Sequence, residues 1–358
     1  MDHEIDYPDL HILSVDPMCA GPDPEALVET YVTSTERHFI RNHGPVPSLD
    51  PANHRLRVGG LVEHELELSV EDLVAHFPQR NVVATLQCAG NRRQELDRIH
   101  PYQNEVLWGG EAIGTAVWSG AALGDILRRA AVQPYATHIW FEGADRVATA
   151  DGSTMFGSEI PLERALVDDV VIAYEMNHAP LTAMHGAPMR VVVPGRIGAR
   201  SVKWLARITV ADRPSENPFE VDGYRFRLPD DPNNGIPLID MPLNSFISTP
   251  TDRATVPAGS VRVLGYATGR GLGSLAAVEL AVDESKFRTV TLLDLPASGV
   301  WVRWECVVDL AVGRHSIVVR ATGSDGASQP ADVAERWNVR GYMNDAWHRI
   351  QVLAKPAR

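Results

Sequence analysis

The sequence predicts an α+β chain, with a mixed α/β first half and an immunoglobulin-like β-sandwich after it. Three observations carry this. Residues 30 to 227 mix short helical and strand patterns, and residues 228 to 245 are dense in Pro, Asn and Asp. The remainder of the chain reads as strands at roughly 10- to 15-residue spacing, with turn residues between them and little helix. The length of 358 residues suits two domains. The boundary is expected near residue 235, giving a first domain over 1–235 and a sandwich over 236–358.

Each element has a local reason. SVEDLVAHF opens with Ser69 and carries Glu71 and Asp72 in its first turn, the pattern of a capped helix. NVVATLQC, ATHIWFEG and MRVVVPG are apolar and β-rich, and read as strands. SGAALGDILRRAAV has apolar residues at helical spacing and basic residues late, as a helix dipole favours. LPDDPNNGIPLIDMPLNS reads as a linker or an extended crossing segment. Beyond it, SVRVLGYAT, LAAVELAVDE, RTVTLLDL, VWVRWECVVDL and RHSIVVRATGSDG supply the sandwich strands. GRGLGS, residues 269 to 274, lacks full GxGxxG spacing and lies between two strands, so it reads as a glycine-rich hairpin rather than a nucleotide loop.

Composition excludes several classes. A 44% hydrophobic content is ample for a core, and no apolar run reaches the ~18 residues of a membrane span. A net charge of −13 argues against nonspecific binding to nucleic acid or anionic lipid, yet leaves room for a local cationic cleft. The start, MDHEIDYPDLHILSVDP, lacks a basic n-region and an apolar h-region. A cytoplasmic location is therefore expected, or a periplasmic one if an export signal has been removed. Cys19, Cys88 and Cys306 are far apart and odd in number, and no CxxC or Cys/His zinc spacing occurs, so no disulfide framework is expected.

The chemistry centres on ATLQCAGNRRQEL, residues 84 to 96. Cys88 comes after a strand and precedes Asn91, Arg92 and Arg93. A thiol beside two guanidiniums is expected to shift toward thiolate, which serves as nucleophile or as metal ligand. A buried structural cysteine is the plain alternative. A nucleophile needs a base, and His43 or His185 could serve; spacing alone does not choose. HFIRNHGPVP offers Arg41, Asn42 and His43, while HGAPMRVVVPGRIGARSVKW offers His185, Arg190, Arg200, Ser201 and Lys203. Such a density of cationic and amide donors suits a phosphorylated, polyanionic cofactor. His138, His178, His315 and His348 form no ligand spacing and read as structural. Asp168 and Asp169 read as a turn or helix end.

LQCAGNRR, RNHGPVP, HGAPMRVVVPG and GARSVKW closely resemble the molybdopterin-binding segments of the sulfite oxidase family, which also contains eukaryotic-type assimilatory nitrate reductase. The ending WNVRGYMNDAWHRIQV is similar to the close of that family's second domain, and the resemblance runs from about residue 30 to 353. It implies a molybdenum-molybdopterin cofactor and a sandwich that mediates homodimerisation; the cytochrome b5-like and flavin domains of some members have no room here, so no haem and no flavin are expected. Cys88 matches the thiolate that binds molybdenum, where soft sulfur ligands suit the metal. Arg41, Asn42, His43, Asp145, His185, Arg190, Ser201, Val202 and Lys203 match residues that hold the pterin and its phosphate. Arg190 and Lys203 would neutralise phosphate, and Asp145 would accept from pterin N–H groups.

Arg41, Arg93, Trp108, Tyr224 and Arg340 match the family's oxyanion pocket. The guanidiniums fit a small dianion, Tyr224 adds a hydroxyl, and Trp108 walls the pocket. The implied reaction is oxidation of sulfite to sulfate by oxygen-atom transfer at molybdenum, with electrons passed to an external acceptor such as a c-type cytochrome or oxygen. Neither nucleic acid nor membrane is an expected partner. Nitrate or another oxyanion is the alternative substrate: Arg340 favours sulfite, whereas Gly44 is a choice familiar from nitrate reductases. A cofactor-free cysteine hydrolase, with Cys88 as nucleophile and His185 as base, is a remote alternative.

Overall fold

The computed structural model describes Tyr7, residues 9–149 and residues 152–356. The first residues of the segment read for an export signal lie outside the described residues. Two sheets build the first domain. One runs Ala179–Pro180, Val171–Met176, Ile113–Ala122, Gln79–Gln87, with Arg190–Val192 also paired to Val171–Met176. The other runs Leu66–Leu68, Leu56–Gly60, Leu205–Ala211, His138–Thr149, Gly152–Pro161. Leu56, Leu73, Leu123, Ile126, Ile139, Ile172, Val191 and Ile208 are fully buried in one core shared by these sheets and their helices. A small sheet of Leu10–Val15, Met18–Pro22 and Ile40–Arg41 sets Arg41 opposite Cys19.

The expected helix after Ser69 forms over Val70–His76 with a reciprocal cap. The Asp72 N–H donates to Ser69 Oγ at 3.0 Å, and the Ser69 N–H donates to the Asp72 carboxylate at 2.8 Å. SGAALGDILRRAAV is helical only over Leu123–Ala130. Its first residues extend the strand Ile113–Ala122, because Gly120 and Ala121 pair with Ala173 and Ile172 across the sheet. Tertiary pairing outweighs the local helical spacing there.

The segment expected as a linker is partly structured. Arg225–Leu228 and Asp231–Pro237 form an antiparallel hairpin, so residue 235 lies within its second strand. The β-sandwich comes next. One sheet runs Asn244–Thr249, Gly259–Thr268, Trp301–Leu310, Thr291–Leu292. It faces Thr255–Pro257, His348–Lys355, Gly313–Gly323, Leu275–Val282, Arg288–Thr289. Val263, Leu280, Trp304, Ile317, Val319 and Ile350 fill the space between them. GRGLGS is a turn between Gly259–Thr268 and Leu275–Val282, and a Cβ on Gly269 would collide with the Gly273 carbonyl oxygen. Turn packing accounts for these glycines. Among the described residues no helix is long and apolar enough to cross a membrane.

One side chain ties the two domains together. Arg92, fully buried, donates through Nε and Nη2 to the Glu95 carboxylate, both at 2.7 Å. Its Nη1 donates to Asn244 Oδ1 at 2.7 Å and to the Ala346 carbonyl at 2.8 Å. In return Asn344 Nδ2 donates to the Arg92 carbonyl at 3.0 Å. Breaking a buried pair by removing one partner costs on the order of 3–5 kcal/mol. Arg92→Met therefore lowers unfolding free energy by about that amount, read from urea midpoints; a change below about 1 kcal/mol would show that the clasp is dispensable.

Candidate active site

The strand Gln79–Gln87 delivers Cys88 into a turn that the neighbouring chain pins down. The Cys88 N–H donates to the Ala112 carbonyl at 2.9 Å, and the Asn91 side chain accepts from the Ala112 N–H at 3.0 Å. Asn91 Nδ2 donates to Tyr266 Oη of the sandwich at 3.0 Å, and the Met343 N–H to the Ala89 carbonyl at 2.8 Å. Cys88 Sγ accepts from the Gly90 N–H at 3.4 Å.

A cleft opens beside this thiol. Arg41, Asn42, His43, Cys88, Asp145, His185, Arg190, Ser201, Lys203 and Tyr224 all line it. They arrive from distant elements. Arg41 ends the strand Ile40–Arg41, and Asp145 sits in the bulge between Glu142 and Arg146 of His138–Thr149. His185 closes the 3₁₀ turn Ala183–His185, Arg190 begins Arg190–Val192, and Ser201 comes directly after the turn Gly198–Arg200. Tyr224 ends the π-helical turn Phe219–Gly223.

The expected charge balance at the thiol is corrected in two respects. Arg92 turns away into the domain clasp, so the cations acting on Cys88 are Arg41 and Arg93. Burial pushes the Cys88 thiol up, outweighing those guanidiniums and the Gly90 N–H. Arg200 is likewise engaged, with Glu220, Ser158 Oγ and the Leu238 carbonyl.

Arg41, Arg190 and Lys203 are different. Arg41 donates to the Asn42 carbonyl, Arg190 to the His185 and Ser201 carbonyls at 3.0 and 2.8 Å, and Lys203 to Asn42 Oδ1 and the Met184 carbonyl. None of these partners is a carboxylate. Burial brings Arg190 down to about 9, and burial with the nearby Arg190 charge lowers Lys203 well below its ordinary value. Arg190 Nε and Asp145 Oδ1 are buried without a hydrogen-bond partner among the described residues. Burial raises Asp145 to about 6 against the pull of Lys203.

Cations without anions and an acceptor without a donor are unfavourable when buried, and a ligand carrying phosphate and ring N–H groups supplies both complements. The residues thus fit a phosphorylated pterin. Among the described residues no three His, Cys, Asp or Glu side chains gather as a metal-ligand set, so a metal at Cys88 would draw its remaining ligands from the molecule filling the cleft.

His43 and Tyr224 share a hydrogen bond of 2.6 Å between Nε2 and Oη. His43 stacks on Phe156 at 4.3 Å, and Tyr224 on Tyr342 at 5.6 Å. Burial, then Arg41 and Lys203, hold His43 well below the usual histidine value. Burial, then Tyr342, hold the Tyr224 phenol well above its own. His185 Nε2 donates to the Thr35 carbonyl at 3.0 Å, and burial likewise keeps it neutral.

Four expected residues stand apart from the cleft lining. Val202 is buried in the first-domain core, where its carbonyl accepts from the Val191 N–H. Trp108 does not wall the pocket: it is fully buried edge-on behind Phe39, which does line the cleft. Arg93 is buried beneath the thiol loop, donating to the Arg340 and Val106 carbonyls at 2.9 and 2.6 Å and lying over the Tyr342 ring. Arg340 is partly exposed. Both pair with Glu105, which sequence reasoning missed because nothing in QNEVLW marks it as a counter-ion. His38, Phe39, Phe156 and Trp204 also line the cleft and were missed, since apolar walls carry no motif. Gly44 has a packing reason: a Cβ there would lie 2.5 Å from the Arg146 carbonyl oxygen.

The chain matches the oxidoreductase molybdopterin binding domain over residues 43–219 and the Mo-co oxidoreductase dimerisation domain over residues 236–355. It is 38% identical to sulfite oxidase of Gallus gallus, across 96% of this chain and 78% of that protein. Identity to nitrate reductase [NADH] 1 of Oryza sativa subsp. japonica is 31%, across 93% of this chain and 39% of that one. The crystal structure of the sulfane dehydrogenase SoxCD from Paracoccus pantotrophus superposes with a TM-score of 0.83 at 25% identity, covering 96% of this chain and 88% of that chain. A mixed sheet domain carrying one cysteine in a cation-lined cleft, joined to a β-sandwich, agrees with both domain matches, and the chain belongs to the sulfite oxidase family of molybdopterin-binding oxidoreductases.

Proposed function

We propose that this chain oxidises sulfite to sulfate, passing two electrons to an external acceptor. The observation that carries this reading is the cleft in which Cys88, Arg41 and Tyr224 meet beside buried cations that lack carboxylate partners. Cys88 would ligate molybdenum, and Arg190 and Lys203 would take the phosphate of molybdopterin. Asp145 would accept from the pterin, and Asn42, His185 and Ser201 would frame it. When bound, the cofactor supplies a two-electron centre able to exchange an oxygen atom with the substrate. In balance, sulfite and water give sulfate, two protons and two electrons.

The chain's own residues place charge and exclude water. Arg41 brings a fixed positive charge to the thiol side of the cleft, where it favours an incoming oxyanion. The Tyr224 hydroxyl, held by neutral His43, offers a proton or an acceptor at a fixed point. Its high proton affinity keeps it a phenol near neutral pH. Phe39, Phe156 and Trp204 wall the cleft and lower the local dielectric, which strengthens each of these interactions.

Sulfite is favoured over nitrate because Arg41 and Arg93 both act on the thiol while one carboxylate, Glu105, is paired to Arg93, an excess of positive charge suited to a dianion. The hydrolase reading lacks a base bonded to the thiol: among the described residues the partner of Cys88 Sγ is the Gly90 N–H. The sandwich is proposed to join two copies of the chain, in keeping with the dimerisation domain it matches.

Molybdenum-loaded protein is expected to reduce ferricyanide when given sulfite and to show little viologen-driven nitrate reduction. Cys88→Ser loses more than about nine-tenths of both metal and turnover. Nitrate turnover alone would overturn the substrate, and full activity in Cys88→Ser would overturn the ligand. Arg340→Met raises the sulfite KM by about tenfold or less, discounted for partial exposure, at unchanged metal content. Equal kinetics would remove Arg340 from the site. Light scattering at micromolar concentration gives twice the single-chain mass; a single-chain mass would refute the dimer.

A further inference from the structure

Arg93 and Arg340, the two guanidiniums expected to receive the oxyanion beside Arg41, do not stand free. Glu105 bridges them. Its Oε1 lies 3.1 Å from Arg340 Nη1 and its Oε2 lies 3.4 Å from Arg93 Nη2. A carboxylate spanning two guanidiniums is a planar oxyanion with one negative charge, occupying the kind of position a substrate oxyanion would take. Its neighbours hold it there. Tyr102 Oη donates to the Asn338 carbonyl at 2.8 Å, Trp337 Nε1 donates to the His100 carbonyl at 3.0 Å, and the Tyr102 and Trp337 rings stack at 5.6 Å. The segment bearing Glu105 is thus fastened to the one bearing Arg340. The Arg340 side chain is 41% exposed, so an anion arriving from solvent reaches this pair directly. Asp222, 4.0 Å from Arg340 Nη2, is too exposed to replace the bridge.

We propose that Glu105 is a built-in competitor for the substrate, an affinity-setting residue whose carboxylate must yield a guanidinium before an oxyanion binds. Resting on the oxyanion reading above, it works by exchange. An anion that engages Arg340 or Arg93 takes a guanidinium from Glu105. A singly charged anion replaces one negative charge with another and gains little. A doubly charged anion brings more charge than it displaces, and binds at a net advantage. The displacement cost is the same for every oxyanion, and the released carboxylate repels a dianion more than a monoanion, so Glu105 lowers affinity for both and for dianions at least as much.

The test is equilibrium binding of sulfate and of nitrate to the molybdenum-loaded full chain, by calorimetry and without turnover. Glu105→Gln keeps the shape and removes the charge. Sulfate affinity then rises by about tenfold, and nitrate affinity rises by no more than that. Glu105→Asp, which keeps the charge, guards against a variant that fails to fold, and its sulfate affinity stays within about threefold of the parent. Unchanged affinities in a folded, fully loaded Glu105→Gln protein would overturn the competitor role, as would an aspartate variant that binds sulfate as tightly as the glutamine variant. If the parent oxidises sulfite while these binding results fail, the competitor role alone falls. If the loaded parent neither binds sulfate nor oxidises sulfite, the oxyanion reading falls with it.

Discussion

The molecule depends on one buried guanidinium. Arg92 lies one turn beyond Cys88 with a left-handed backbone, and its side chain reaches the first strand and the closing segment of the β-sandwich. Every donor nitrogen on that side chain is engaged, and its charge is met by Glu95 at the same point. A charge this deeply buried is tolerated only with such complete satisfaction. The turn carrying the thiol is therefore held by the second domain as much as by the strand that leads into it. Asn91, bonded to Tyr266, and Ala89, bonded to Met343, make the same connection on either side. The second domain supports the site by holding this turn.

Around that turn the protein separates two kinds of positive charge. Inside the cleft Arg41, Arg190 and Lys203 have only carbonyl and amide partners. Outside its lining Arg93 and Arg340 share Glu105. The first arrangement is incomplete until a polyanion arrives, and the second is complete but exchangeable. A cofactor that must stay and a substrate that must come and go require that difference. The overall acidity of the chain does not conflict with it, because the fields of distant surface carboxylates are screened by salt before they reach the cleft.

Much of this was legible in the sequence, for reasons that differ by residue. Cys88, Asn42, His43, Arg190 and Lys203 lie in motifs whose residue types already state a chemistry, and the structure gathers them around one cleft. The two-part architecture was visible in the change of periodicity after residue 245, which strand pairing then respects. What misled was adjacency. Arg92 and Arg93 are neighbours in sequence, yet the left-handed backbone of Arg92, between strand and helix, sends one into the clasp and the other beneath the thiol. Trp108 lies one ring behind the wall it was expected to form. Glu105 carried no signal because a lone acid in a loop acquires meaning only from what folds against it.

The state of Cys88 results from the same separation of charge. Two guanidiniums nearby would suffice to lower a thiol in water, but burial outweighs them here and holds the thiol above its ordinary value. A protonated, buried thiol is a poor nucleophile and a slow target for oxidants. Under the proposed function the ligating form arises when a cation arrives to replace the proton, so metal binding and proton release are one event. Arg41 and Arg93 then matter less for generating thiolate than for the charge they place beside the metal site. The residue that looked activated by its neighbours is held inert by its surroundings.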